Sequence, residues 1–232
     1  MKRPIFLWLF LLASVIHLSF EWISYTTGIL IIKPSLISFL LLHFWTQVSP
    51  RKGWVGWLAL GLIFSVGGDS LLMLVEQSWG GELFFVLGLG SFLITHLFYS
   101  MAFWTAGGKQ IVYQGARWWW FTLFVGYLLL FYGTLYPGME PTLQIPVALY
   151  SLCIVIMVLL ALQLRWIFPG RATNTIFWGA ILFMLSDSLI GLNKFTALSI
   201  PGAWVRVGIM LTYLTGQWLI VRGSLQLRKE TD

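Results

Sequence analysis

The sequence predicts an all-α fold, a polytopic membrane bundle of eight transmembrane helices that forms one integral membrane domain over residues 1–232. Three observations carry that expectation. Hydrophobic residues make up 59% of the chain and charged residues only 9%, against about 45–50% and about 25% in soluble domains. Apolar runs of about 20 residues, the length that crosses a hydrocarbon core of about 30 Å, recur from one end of the chain to the other. The charges between those runs are segregated, basic residues falling on one side of such a bundle and mostly acidic ones on the other.

The eight spans are read at 5–24, 28–48, 54–74, 82–105, 118–136, 142–164, 172–193 and 201–221. The first follows Lys2 and Arg3 and so resembles a signal peptide. Its removal would leave seven helices, and it is read as a retained span. The second and sixth carry Pro34 and Pro146 but stay apolar on both sides. The third contains Gly67-Gly68, which inside a helix suits close packing better than phosphate binding. The fifth begins at Trp118-Trp119-Trp120 after Arg117, the composition of an interfacial aromatic belt. The connections are short and rich in Gly, Pro and charge, with no room for a soluble domain. Backbone in lipid must hydrogen-bond within its own segment, so each run is expected to be helical.

Charge placement tests the count. Lys2, Arg3, Arg51, Lys52, Lys109, Arg117, Arg165, Arg171, Arg222, Arg228 and Lys229 fall on one side of such a bundle. Glu76, Glu82 and Glu140 fall on the other, with Lys194 as the sole loop cation there. By the positive-inside rule both termini are expected in the cytoplasm, as in a bacterial inner-membrane protein. The net charge of +6 is thereby explained by topology, and no nucleic-acid partner is expected. A faint repeat adds to this picture. Asp69-Ser70-Leu71 recurs as Asp187-Ser188-Leu189, and Pro34 has a counterpart in Pro146. Two parallel four-helix repeats about an axis along the membrane normal would produce that pattern.

Ionisable residues inside spans cost several kcal/mol and are functional candidates by default. Asp69 and Asp187 each lie 15 residues in from Trp54 and Ala172, about 22 Å from the cytoplasmic edge. Lys33 and Arg206 lie 5 residues in from the other edge. All four are therefore expected at one level in the outer half, with Glu21 nearby. On an architectural reading, Lys33 and Arg206 each pair with an aspartate and hold the bundle together. Desolvation makes such pairs poor choices for stability alone. A protonated acid beside an ionised carboxylate is also what general acid/base chemistry requires. His96 and Tyr99 share one face of the fourth helix, and Tyr213 and Gln217 one face of the eighth, so these four are candidates to line a polar cavity. Three histidines on three helices without a pairing motif, and a lone Cys153 in an apolar run, point to no metal and no cofactor.

These residues carry a family resemblance. Lys33-Pro34, Phe64-Ser65-Val66-Gly67-Gly68-Asp69, Phe92-x-x-x-His96-x-x-Tyr99, the run Gly179 to Asp187, and Tyr213 to Gln217 occur in an order that resembles the YhhN-like family, which includes the lysoplasmalogenases. The first and fifth helices carry no part of the match. The resemblance implies hydrolysis of the vinyl ether bond of a lysoplasmalogen or related ether lysolipid, giving a fatty aldehyde and a glycerophospho-head-group alcohol without a metal. It implies Asp69 and Asp187 as catalytic carboxyls, by analogy with glycosidase pairs. Lys33 and Arg206 would hold the lipid phosphate, while His96, Tyr99 and Tyr213 would orient water or the ether oxygen. Two other readings stay open: a secondary transporter of a small or lipid-like substrate, which also uses intramembrane charges and Pro-interrupted helices, and a non-catalytic lipid-binding protein.

Overall fold

A computed structural model describes residues 4–48, 53–75, 81–108, 118–197 and 202–231. Eight helices form the described chain: α1 (Ile5–Ile23), α2 (Thr26–Gln47), α3 (Trp54–Val75), α4 (Gly81–Gly107), α5 (Trp118–Leu135), α6 (Pro141–Ile167), α7 (Arg171–Phe195) and α8 (Gly202–Thr231). All eight are long and apolar enough to cross a membrane, and no strand occurs among the described residues. The protein is an integral, multi-pass membrane protein.

The expected spans match to within a few residues, except at the end of α8. The apolar run stops near Val221, but the helix continues ten residues further. Gln226, Arg228, Lys229 and Glu230 are good helix formers that favour water, and so the helix continues where the apolar signal ends. Lys2, Arg3, Arg51, Lys52, Glu76, Lys109 and Arg117 lie outside the described residues.

Two ends of the bundle differ in charge. Glu82, Glu140 and Lys194 line one hollow at what we call the acidic end. Arg165, Arg171, Arg222, Arg228 and Lys229 lie toward the opposite, basic end.

Packing is closest between α3 and α4 and between α7 and α8. Glycines allow both approaches. A Cβ at Gly68 would meet the Phe92 ring at 2.6 Å, and one at Gly61 would meet Tyr99 at 2.3 Å. Across the other seam, Gly179 and Gly216 lie against each other's backbone. Close backbone approach at small residues is how helices associate in lipid, where tails are as apolar as Leu. α5 is peripheral, with only 11% of its span buried, and so forms a lipid-facing wall. The Trp119 and Trp120 rings stack at its basic end.

Candidate functional site

Helix α3 brings Asp69 into the bundle and α7 brings Asp187. Each carboxyl receives a tyrosine hydroxyl from another helix. Tyr213 of α8 donates to Asp69 Oδ2 at 2.7 Å, and Tyr150 of α6 donates to Asp187 Oδ2. Phe183, one turn before Asp187, packs on the ring of Tyr213, the hydroxyl donor to Asp69.

Behind Asp69 runs a fully buried hydrogen-bonded chain. Tyr99 donates to Gln217 Oε1 at 2.6 Å, and Gln217 Nε2 donates to Ser65 Oγ at 2.7 Å. Ser65 and Tyr213 hydroxyls lie 2.7 Å apart. Since Tyr213 spends its proton on Asp69, Ser65 is the donor in that pair. Every group in the chain is satisfied, as burial demands. It ties α3, α4 and α8 together and aims Tyr213 at Asp69. Lys33 of α2 completes this side, buried and within electrostatic reach of Asp69.

On the other side, His96 Nε2 lies 3.4 Å from Asp187 Oδ2, and the His96 ring meets Tyr150 edge-on. Phe183, one turn before Asp187 on α7, separates the two branches. Its ring packs against Phe92, His96, Tyr99 and Tyr213. This aromatic divider keeps the two carboxyl environments distinct.

Arg206 does not join them. The expected Arg206–aspartate pair is replaced by one with Glu21. Arg206 Nε donates to Glu21 Oε2 at 3.1 Å, and Nη2 donates to the Glu21 carbonyl at 3.1 Å and to Ser24 Oγ at 2.6 Å. Ser24 is in the left-handed conformation that ends α1, at φ +58°. The guanidinium therefore caps the C-terminus of α1, where a cation meets the helix dipole and its unbonded carbonyls. His17 Nε2, 3.4 Å from Glu21 Oε1, belongs to the same cluster. Residue counting gave Arg206 a depth but could not tell which acid faced it. Glu21→Ala and Arg206→Ala are each expected to lower Tm in detergent, and the double variant to lose less than the sum of the two. The coupling should be about 0.5–1 kcal/mol, at the low end for contacting residues, because Arg206 is 40% exposed and screened.

An apolar cleft opens beside Asp187 between α3, α4, α5, α6 and α7. Phe85, Leu89, Phe131 and Phe195 are among its walls, and Asp187 with Tyr127, Tyr150, Ser151 and Ser188 forms its polar lining. Ser188 donates to the Met184 carbonyl, so Tyr127 is the donor in its own bond to Ser188. The cleft holds about 50 Å³ of room for the centres of water-sized molecules, enough for a few waters. An alkyl chain would have to spread the lining side chains. Asp69, Lys33, Arg206, Tyr99, Tyr213 and Gln217 do not line it, and His96 reaches it only through Asp187. Tyr150, Ser65 and Tyr127 were not singled out in the sequence. Ser65 stands one turn before Asp69, and Tyr127, Phe131 and Leu135 form an i, i+4, i+8 stripe on α5, a signal that was present but indistinguishable from ordinary packing. Among the described residues no group of three or more His, Cys, Asp or Glu could hold a metal.

Fold and site together define a multi-pass membrane protein with two buried carboxyls, each bonded to a tyrosine hydroxyl, one of which lines an intramembrane cleft. The YhhN family model matches residues 28–224, and the chain belongs to that family. It is 31% identical over 184 residues to the Bos taurus protein named lysoplasmalogenase TMEM86A, covering 75% of this chain and 67% of that one. The Homo sapiens protein named lysoplasmalogenase TMEM86B is 31% identical over 188 residues, covering 77% and 68%. A Mycobacterium tuberculosis protein named lysoplasmalogenase is 31% identical over 184 residues, covering 76% and 63%. No solved structure matches the chain.

Proposed function

We propose that the protein is a membrane-embedded lysoplasmalogenase that cleaves the vinyl ether of a lysoplasmalogen to a fatty aldehyde and a glycerophospho-head-group alcohol. The observation that carries this reading is the position of Asp187, the one carboxyl in the lining of an otherwise largely apolar cleft. The names of the relatives support the same substrate class.

In this mechanism Asp187 is the acid and Asp69, beside the Lys33 cation, its ionised partner. Protonated Asp187 delivers its proton to the alkene carbon remote from oxygen. The double-bond electrons form the new C–H bond, and an oxocarbenium ion results. Water adds to the carbon next to oxygen and returns a proton to the Asp187 carboxylate. The hemiacetal then loses its hydroxyl proton, its C–O bond to glycerol breaks, and the glycerol oxygen takes up a proton. One water is consumed, one aldehyde and one alcohol form, and Asp187 ends protonated. A fixed negative charge at Asp69 favours the cation without touching it, the kind of preorganised electrostatics that works best out of water. Tyr150 holds the Asp187 carboxyl in place, with His96 Nε2 3.4 Å away.

Purified protein incubated with lysoplasmenylethanolamine is expected to release fatty aldehyde, followed by mass spectrometry. Ester-linked lysophosphatidylethanolamine should emerge intact, because its carbonyl has no alkene carbon to protonate. Unchanged vinyl ether lipid would overturn the proposal. Movement of that lipid across a proteoliposome membrane without cleavage would instead favour transport.

A further inference from the structure

Asp187 and Lys194 are seven residues apart on α7, two turns along the same face. That spacing separates them by about 10 Å along the helix axis. Lys194 lies at the acidic end of the cleft. Its Nζ is 4.1 Å from the centre of the Phe85 ring and 5.9 Å from that of Phe195, and both rings line the cleft. These two rings meet edge-on at 6.3 Å. They divide the cleft from a shallow hollow lined by Glu82, Glu140, Leu143, Lys194 and Phe195. The hollow is a built feature. A Cβ on Gly138 would fall 1.9 Å from the Phe195 carbonyl oxygen, so only glycine lets the α5–α6 turn close against the end of α7.

Among the described residues no carboxylate is in ion-pair contact with Lys194, and Lys194 is the only cation in the sequence of the four loops at that end. The two cations first expected to hold a lipid phosphate are committed elsewhere: Arg206 to Glu21, and Lys33 beside Asp69, on the far side of the aromatic divider.

The geometry points to Lys194 as the residue that seats the phosphate of the lysolipid head group, with α7 as the ruler that then sets the vinyl ether beside Asp187. This assignment rests on the hydrolase reading above. From the vinyl ether carbon through the glycerol to phosphorus is six bonds, roughly 8 Å when extended at bond lengths of about 1.5 Å. That length is close to the rise between the two residues. Gly191, between them on the same face, is part of the cleft wall and packs against Leu135 and Phe131. Glu82 and Glu140 in the same hollow favour a head group that also carries an amine and disfavour one that is purely anionic. The ammonium–phosphate contact is charge-assisted but open to water, and an effect of about tenfold is expected.

The test is a ratio. In detergent-purified full chain, kcat/KM is measured for lysoplasmenylethanolamine and for a 1-alkenylglycerol that lacks the phosphate. The preference for the phosphate-bearing lipid should fall about tenfold in Lys194→Ala, through KM, and return in Lys194→Arg. In Glu82→Gln/Glu140→Gln, the preference for lysoplasmenylethanolamine over alkenyl lysophosphatidic acid should shrink. Binding of uncleavable lysophosphatidylethanolamine, read by tryptophan fluorescence, should weaken about tenfold in Lys194→Ala. That readout stands even if no vinyl ether is cleaved, so failure of the hydrolase reading and failure of this one are separable. A preference ratio equal to wild type in Lys194→Ala, or equal binding of the uncleavable lipid, would overturn the assignment. So would a loss that Lys194→Arg fails to restore.

Discussion

Asp187→Asn should abolish nearly all aldehyde release, lowering kcat by about 100- to 10,000-fold, the range that positioned acid/base groups supply, with Tm nearly unchanged. The amide keeps the shape of the carboxyl and still accepts the Tyr150 hydroxyl, so the cleft wall stays intact. It has no proton acidic enough for an alkene carbon, and no base to take the proton of the attacking water. Asp69→Asn should behave differently. Asp69 is outside the lining of the cleft, and its proposed role is a fixed negative charge balanced by Lys33 and held by Tyr213. Its loss should lower kcat while leaving KM for lysolipid near wild type. It should be reproduced in part by Tyr213→Phe, which leaves Asp69 without its hydroxyl donor. Single-turnover aldehyde release, with circular dichroism and thermal shift as folding checks, separates the two. Full turnover by folded Asp187→Asn would remove the acid from the mechanism and leave the cleft a binding site only.

The number of helices and the depth of the acids were legible in the sequence, because both depend on local arithmetic. A span needs a fixed length of apolar chain, and an acid's depth is its residue count times the helical rise. Asp69 and Asp187 each take a tyrosine hydroxyl, from α8 and from α6. Partnership was not legible in the same way. Which of Glu21, Asp69 and Asp187 faces Arg206 depends on how α1, α3 and α7 are ordered around α8, and residue counting carries no angular information between helices. Arg206 accordingly pairs with Glu21. The cleft was invisible for a related reason. Its walls are Phe, Leu, Val and Tyr side chains on five helices, and in lipid an apolar face can meet a neighbour, a substrate tail or the bilayer with the same composition. Tyr150 escaped notice although it stands four residues after Pro146, because a single Tyr in an apolar helix has no periodic partner. The Tyr99–Gln217–Ser65–Tyr213 chain was half visible. Three of its members were noted as pairs on single helices, but only the hydrogen bonds that run from α3 to α8 make Ser65 the junction.

Gly216→Ala should force the α7–α8 seam apart and damage both folding and turnover. A Cβ there would lie 2.9 Å from the Gly179 carbonyl oxygen and 2.9 Å from the Phe183 nitrogen. Both are backbone atoms, which cannot rotate aside, so α7 and α8 would have to separate. Gly179 meets the same limit from the other side, at 2.8 Å from the Gly216 carbonyl oxygen. Overpacking of this kind costs about 3 kcal/mol, or roughly 6–12 °C in Tm for a chain of this length. The functional effect should be larger than the loss of stability suggests. Gly216 stands between Tyr213 and Gln217 on α8, and its contact Phe183 is one turn from Asp187 on α7. Moving the seam outward lengthens the Tyr213–Asp69 and Tyr99–Gln217 hydrogen bonds together and tilts Asp187 relative to Tyr150. Gly133→Ala on α5 is the matched control. It meets nothing within 4 Å, and alanine is the better helix former by about 1 kcal/mol, so its Tm should hold or rise. If Gly216→Ala tracked Gly133→Ala in both Tm and turnover, the α7–α8 seam would not set the spacing of the site. If Gly216→Ala loses turnover at temperatures where it is still folded, the seam is what holds the two carboxyl branches in register.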